Sequence, residues 1–347
     1  MPRLQEVLYS GQISEGPPVA EFERQFSEYV GLGNMVAFSS GTAALHVALE
    51  LAGVCAGTEV ISTPMTAEPT NLAICHAGGK VVWADVDPTN GNICAESIRS
   101  RITPRTKAVM VVHYGGIPAS MEPIQQLASE FRLPLVEDAA HALGARYAGK
   151  PIGTGSSFTM FSLQAIKHMT TIDGGMLSCR STADSATAKK ARWFGIDRMA
   201  SRTDVDVAMV GYKYNMTNVT AVMGMVQLSH IKSVVARHIE NGKYFDRELA
   251  DIEGLTTCRW DAQAEPSYWF YTLLAERRED LSRHLSDHGI GNSQCHKRND
   301  RHSVFAYARQ ELPGLDAFYS RMLHIPCGWW VSDADREYIR DVLRKGW

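Results

Sequence analysis

Met35-Val36-Ala37-Phe38-Ser39-Ser40-Gly41-Thr42-Ala43-Ala44-Leu45 is the stretch that decides the fold. Four apolar residues make a short buried strand, two hydroxyl residues and a glycine interrupt it, and an alanine- and leucine-rich run starts a helix. The same unit recurs through the first half of the chain. Glu59–Thr63, Val81–Asp85, Ala108–His113 and Leu133–Glu137 read as further strands, with Thr42–Ala52, Pro69–His76, Ala95–Ile102 and Met121–Phe131 as the helices between them. Continuous apolar strands, each followed by a helix, predict βαβ units around a buried, mostly parallel sheet flanked by helices. Phe158–Ser162 and Gly175–Cys179 read as two more strands, close enough for a hairpin. Beyond Gly195 the pattern changes: Thr217–Leu249 predicts one long helix or two in succession, and shorter strands and helices follow. We expect an N-terminal segment over 1–14, a large α/β domain over 15–235 and a smaller C-terminal α/β domain over 236–347.

Composition narrows the function. Thirty-five Lys and Arg against 38 Asp and Glu leave a net charge of −3 over 347 residues. That balance carries no electrostatic footprint for nucleic acid or a membrane surface. A chain of this length buries a core without disulfide or metal staples. The seven cysteines occur singly, never as Cys-x-x-Cys, which argues against a zinc ribbon and a secreted disulfide framework. No apolar run reaches the ~18 residues of a membrane span, and the first residues lack a signal-peptide pattern, so a cytoplasmic location is expected. The histidines show no HExxH spacing, and neither a G-x-S-x-G elbow nor a dinucleotide fingerprint is present.

Ligands of open α/β sheets gather at the carboxyl ends of the strands, and three segments there carry chemistry. Ser40-Gly41-Thr42 places free N–H groups and the positive end of a helix together, a site for an anion and most naturally a phosphate; a plain N-cap is the alternative. Asp138, in Val136-Glu137-Asp138-Ala139-Ala140-His141-Ala142, ends an apolar strand, where a carboxylate must be paired. A cationic heterocyclic nitrogen would pair it, or it caps the following turn. Lys167 follows Phe161-Ser162-Leu163-Gln164-Ala165-Ile166 in a weakly charged neighbourhood. Desolvation there prepares an amine for Schiff-base chemistry, while a surface lysine on a loop is the alternative. A phosphate cradle, a carboxylate and a lysine, in that order, are the requirements of pyridoxal 5′-phosphate (PLP).

These segments resemble the sugar aminotransferases of the DegT/StrS type, within the fold-type I PLP enzymes. The resemblance runs from Ser10-Gly11-Gln12-Ile13-Ser14-Glu15-Gly16-Pro17 to Gly211-Tyr212-Lys213-Tyr214-Asn215-Met216-Thr217-Asn218. It rests above all on EDAAHALGA at 137–145 and on the Ser162-x4-Lys167-x3-Thr171-x-Asp173-Gly174-Gly175 spacing. The resemblance implies that Lys167 bonds the cofactor and shuttles the proton, and that Asp138 keeps the pyridinium nitrogen charged. It further implies His141 on the ring 3-hydroxyl and Ser40, Gly41 and Thr42, with Ser162, on the phosphate. It implies a homodimer in which Lys213 reaches the partner subunit's phosphate. The implied substrates are L-glutamate as donor and a keto sugar, mostly linked to a nucleoside diphosphate, in amino-sugar or polysaccharide biosynthesis. Other members aminate cyclitol ketones, dehydrate or deoxygenate sugars, or bind PLP as regulators.

The chain departs from that pattern in places. Lys213 stands where Asn is frequent and Asn215 where Arg is frequent, Gln164 replaces a commoner His, and Ala67 occupies the position of an aromatic that commonly stacks on the ring. His296-Lys297-Arg298-Asn299-Asp300-Arg301-His302 is the densest basic cluster, readable as a diphosphate site or as a solvated loop. Trp329 and Trp330 are expected in the core of the smaller domain rather than in a pocket.

Overall fold

The computed structural model describes residues 2–198, 200–201 and 203–347. Its main sheet has seven strands in the order Met35–Phe38, Gly175–Cys179, Phe158–Ser162, Leu135–Asp138, Thr106–Val112, Glu59–Ser62 and Lys80–Trp83. All neighbouring pairs are parallel except the two made by Gly175–Cys179, which is antiparallel to both its neighbours. The strands begin and end within a few residues of the apolar runs that predict them. Because side chains alternate along a strand, each strand feeds two cores. Met35, Ala37, Val109 and Val111 pack on one face with Phe22, Phe26, Ile124 and Leu127 from the helices Pro17–Val30 and Met121–Phe131. Val36, Phe38, Ala108 and Met110 pack on the other with Leu45 and Leu49 of the helix Gly41–Leu51.

The two strands expected as a hairpin do pair, Phe158 opposite Cys179 and Ser162 opposite Gly175. Their connection, residues 163–174, carries Lys167 to the carboxyl edge of the sheet. The apolar stretch after Thr217 forms two helices, Asn218–Leu228 and Ile231–Glu248, bent by 57° at the break. Ile231 and Val235 of the second helix pack in the core of the main sheet, whereas Phe245, near its end, packs in a separate one. That separate core backs an antiparallel sheet of Leu255–Thr257, Tyr271–Ala275 and Met322–Ile325. Residues 235 and 236, the expected division between domains, thus lie inside a continuous helix. No single helix among the described residues is long and apolar enough to cross a membrane.

Two expectations are corrected. Arg298 is neither solvated nor free for a diphosphate: it is 4% exposed and gives Nε and Nη2 to Asp300 at 2.8 and 2.7 Å and Nη1 to Asp316. The cluster is basic in sequence, but its central charge is cancelled by carboxylates two residues away and across the fold. Arg298→Ala strands Asp300 in the interior and should cost about 3 kcal/mol of stability. Thermal denaturation should show a melting point lowered by several degrees for this variant and an unchanged one for Lys297→Ala, whose side chain is exposed. Trp329 and Trp330 are 59% and 58% exposed rather than core. Cys327 and Val331 fill the inward positions of that turn, and Asn241 Nδ2 donates to the carbonyls of Gly328 and Val331 at 3.0 and 3.2 Å, which leaves the indoles outside.

Candidate active site

A cavity of about 350 Å³ opens at the carboxyl edge of the main sheet, and Ser40, Gly41, Thr42, Asp138, His141, Ser162 and Lys167 all line it. One end is the start of the helix Gly41–Leu51, where Ser40 Oγ accepts from Ala43 N at 3.1 Å. The first N–H groups of a helix have no partner within it and attract an anion. Two glycines let the chain pack closely at this corner. A Cβ on Gly41 would lie 2.9 Å from Met160 Sδ, and one on Gly175 would lie 2.5 Å from Ser40 O. Ser40 therefore caps the helix and borders the cavity at once.

Asp138 is 4% exposed at the end of its strand. Its Oδ2 accepts from Thr70 Oγ1 at 2.7 Å and its Oδ1 from Ala140 N at 3.0 Å. Thr70 Oγ1 is also 2.8 Å from Thr66 Oγ1; since Thr70 gives its proton to Asp138, the Thr66 hydroxyl donates to Thr70. Burial raises the Asp138 pKa, and the Thr70 and Ala140 hydrogen bonds and the charge of Lys167 counter it in part. Lys167 is pushed down to about 8 by burial, opposed by Asp138. Its Nζ lies 3.9 Å from the centre of the Trp269 ring. His141 stacks on the same indole, 3.9 Å between centroids and 15° between planes. Burial, then Lys167, holds its pKa well below the ordinary histidine value, and its Nδ1 has no hydrogen-bond partner within the chain.

Lys213 does not line this cavity. Its Nζ donates to Asn215 Oδ1 at 2.9 Å and lies 3.7 Å from the Trp193 ring centre. Ala67 does line it, with no aromatic side chain at that position.

The smaller part of the chain supplies His296, which the sequence offers only as one end of a basic cluster, and Trp269, which sequence reading missed. His296 lines the cavity beside Lys167, and burial pushes its pKa down to about 4. The Tyr114 hydroxyl donates to the carbonyl of Cys295, just before it. Asn299 clamps the same loop to the opposite wall: its N–H donates to Pro64 O at 2.9 Å, its Nδ2 to Thr66 O at 2.8 Å, and its Oδ1 accepts from Asn71 at 2.9 Å. Trp269 lies within the aromatic run Tyr268–Tyr271, which in sequence looks like core. Thr70, early in the helix Glu68–His76, looks like part of an ordinary helix start.

A helix start at the cavity wall, a buried carboxylate, an imidazole with an unpartnered nitrogen and a desolvated amine together fit pyridoxal phosphate. The comparisons agree. Residues 1–344 match the DegT/DnrJ/EryC1/StrS aminotransferase family. The sugar aminotransferase CalS13 from Micromonospora echinospora is 36% identical, with a TM-score of 0.97 over 100% of this chain and 96% of that one. A UDP-4-amino-4-deoxy-L-arabinose–oxoglutarate aminotransferase of Shewanella sediminis is 35% identical over 277 residues, 78% of this chain and 71% of that protein. Putative sugar aminotransferase Spr1654 from Streptococcus pneumoniae, solved in a PLP form, is 25% identical, with a TM-score of 0.90 over 99% of this chain and 94% of that one. The chain belongs to the DegT/DnrJ/EryC1/StrS aminotransferase family and is a pyridoxal phosphate-dependent sugar aminotransferase.

Proposed function

We propose that the enzyme transfers the amino group of L-glutamate to a keto sugar carried on a nucleoside diphosphate, as a cytoplasmic homodimer. The observation that carries the transfer chemistry is the convergence of the Gly41 cradle, Asp138 and Lys167 on one cavity. When bound, pyridoxal phosphate supplies the electron sink that lets an amino group leave one carbon and enter another. The N–H groups at Gly41 and Thr42, with Ser40 and Ser162, hold its phosphate. Asp138, whose carboxylate accepts from Thr70 and the Ala140 N–H, would hold a proton on the ring nitrogen. His141 offers Nδ1 to the ring oxygen. Lys167, desolvated to a pKa of about 8, is poised to take a proton and return it near neutral pH.

The donor and the nucleotide rest on different support. Lys167 is the one cation among the described residues lining the cavity, since burial keeps both of its histidines neutral. The carboxylates of glutamate and the phosphates of a sugar nucleotide need cations from elsewhere. Lys213, held outside the cavity of its own chain, is the residue we assign to the partner subunit's site. The name of the Shewanella sediminis relative pairs oxoglutarate, the keto acid left by glutamate, with a UDP-linked sugar. Dehydration through a histidine gains no support from His168, whose Nε2 is bonded to Ser267 O at 3.1 Å and which does not line the cavity.

Incubation with L-[15N]glutamate and a panel of nucleotide-linked keto sugars, free keto sugars and cyclitol ketones should place 15N in one nucleotide-linked product and release an equal amount of 2-oxoglutarate. Label entering only cyclitol ketones or free sugars, or none entering any product, would contradict the substrate assignment.

A further inference from the structure

Trp269 sits just before the strand Tyr271–Ala275 of the smaller sheet, yet three of its side-chain contacts are with the site. Its Nε1–H donates to the carbonyl of Ile166 at 2.8 Å, one residue before the lysine. Its ring centre is 3.9 Å from Lys167 Nζ, and its ring stacks on His141 at 3.9 Å and 15°. The strand pairing does not require this placement, since the register with the next strand starts at Tyr271. The Trp269 backbone is itself tied to the large part of the chain, its N–H donating to Gly115 O at 2.9 Å.

We infer that Trp269 is a positioning residue of the amino transfer: one side chain fixes both the Lys167 amine and the ring plane of His141. The inference rests on the reading of Lys167 as the cofactor's lysine. An indole face attracts an ammonium and has far less hold on a neutral amine. The ring therefore steadies Lys167 when it carries a proton and lets it go when it does not. Aligning the imidazole plane also fixes the direction of His141 Nδ1, the atom without a partner in the chain. The Nε1–H bond to Ile166 holds the backbone beside the lysine, so the amine has a fixed root as well as a fixed tip.

Competitive acetylation with acetic anhydride across pH, on full-length protein stripped of cofactor and read at Lys167 by mass spectrometry, tests this without turnover. Trp269→Leu removes the ring face and should lower the titration midpoint of Lys167 by roughly half to one pH unit. Trp269→Phe keeps a ring and should lower it by less. An unmoved midpoint in the Leu variant, or an equal fall in both variants, overturns the inference. If Trp269→Leu does not fold by circular dichroism, Trp269→Met carries the same comparison. Reloaded with cofactor, the Leu variant should lose about tenfold in kcat with a smaller change in donor KM; a change in KM alone overturns the positioning role. Failure of the wild-type enzyme to accept nitrogen from glutamate would sink the donor assignment and leave the titration standing, so the two failures are distinguishable.

Discussion

Lys167→Ala should lower amino transfer by at least about a thousandfold while cofactor still binds. Lys167 is the one amine among the described residues lining the cavity, and burial has brought it down to a pKa of about 8, where a fair fraction is neutral near physiological pH. An alanine there can neither bond the cofactor nor move the proton, and no neighbour replaces it. His168 is bonded to a carbonyl outside the cavity, and His296 is held neutral with its pKa near 4, too weak a base for the task. The remaining anchors, the Gly41 helix start and Asp138, stay in place because neither depends on the lysine for its hydrogen bonds. Cofactor content measured after dialysis, beside the rate of 2-oxoglutarate release, separates binding from chemistry. A variant that binds cofactor and still turns over at a tenth of the wild-type rate would refute the role of Lys167.

The second large effect belongs to Asp138. Asp138→Asn keeps the shape and an oxygen for the Thr70 hydroxyl but removes the charge, and it should slow transfer on the order of a hundred- to a thousandfold. A neutral amide cannot hold a proton on the ring nitrogen, so the ring loses its power to withdraw electrons. The wild-type pH profile carries the same information. Burial raises the Asp138 pKa, so as pH falls the carboxylate is neutralised earlier than an ordinary aspartate. The rate should drop on the acid side as Asp138 is protonated, with a midpoint that the charged ring nitrogen moves below that of the cofactor-free protein, and Asp138→Asn should lack that limb. A variant with the wild-type rate and acid limb would show that the carboxylate is not the partner of the ring nitrogen.

The parts of this site that are legible in the sequence are those built locally. Ser40-Gly41-Thr42 is a strand end joined to a helix start, and Asp138 and Lys167 each follow an apolar strand, so a few residues on either side suffice to place them. Trp269 and Thr70 are invisible, and His296 is seen only as part of a basic cluster, for the opposite reason. Their neighbours in the site come from distant strands and loops, and in sequence each looks like core, a basic patch or a helix start. Arg298 shows how local reading fails in the other direction: nothing in the run of basic residues announces that Asp316 arrives to share its guanidinium. Strand boundaries shift by one or two residues in both directions, because backbone pairing takes in flanking polar residues such as Lys80, Thr106 and Asp138 and leaves out others of the run. The missing aromatic at Ala67 is legible; that Trp269 meets Lys167 and His141 is not.

The most direct measurement of the central claim is the absorbance spectrum of the purified, cofactor-loaded protein before and after addition of L-glutamate. The band of the aldehyde form of the cofactor should give way to that of the amine form, and Lys167→Ala should show no such conversion on the same timescale. An aldehyde band that glutamate leaves unchanged in the wild-type protein would contradict the assignment of L-glutamate as donor. No cofactor band after incubation with pyridoxal phosphate would contradict the reading of the cavity itself.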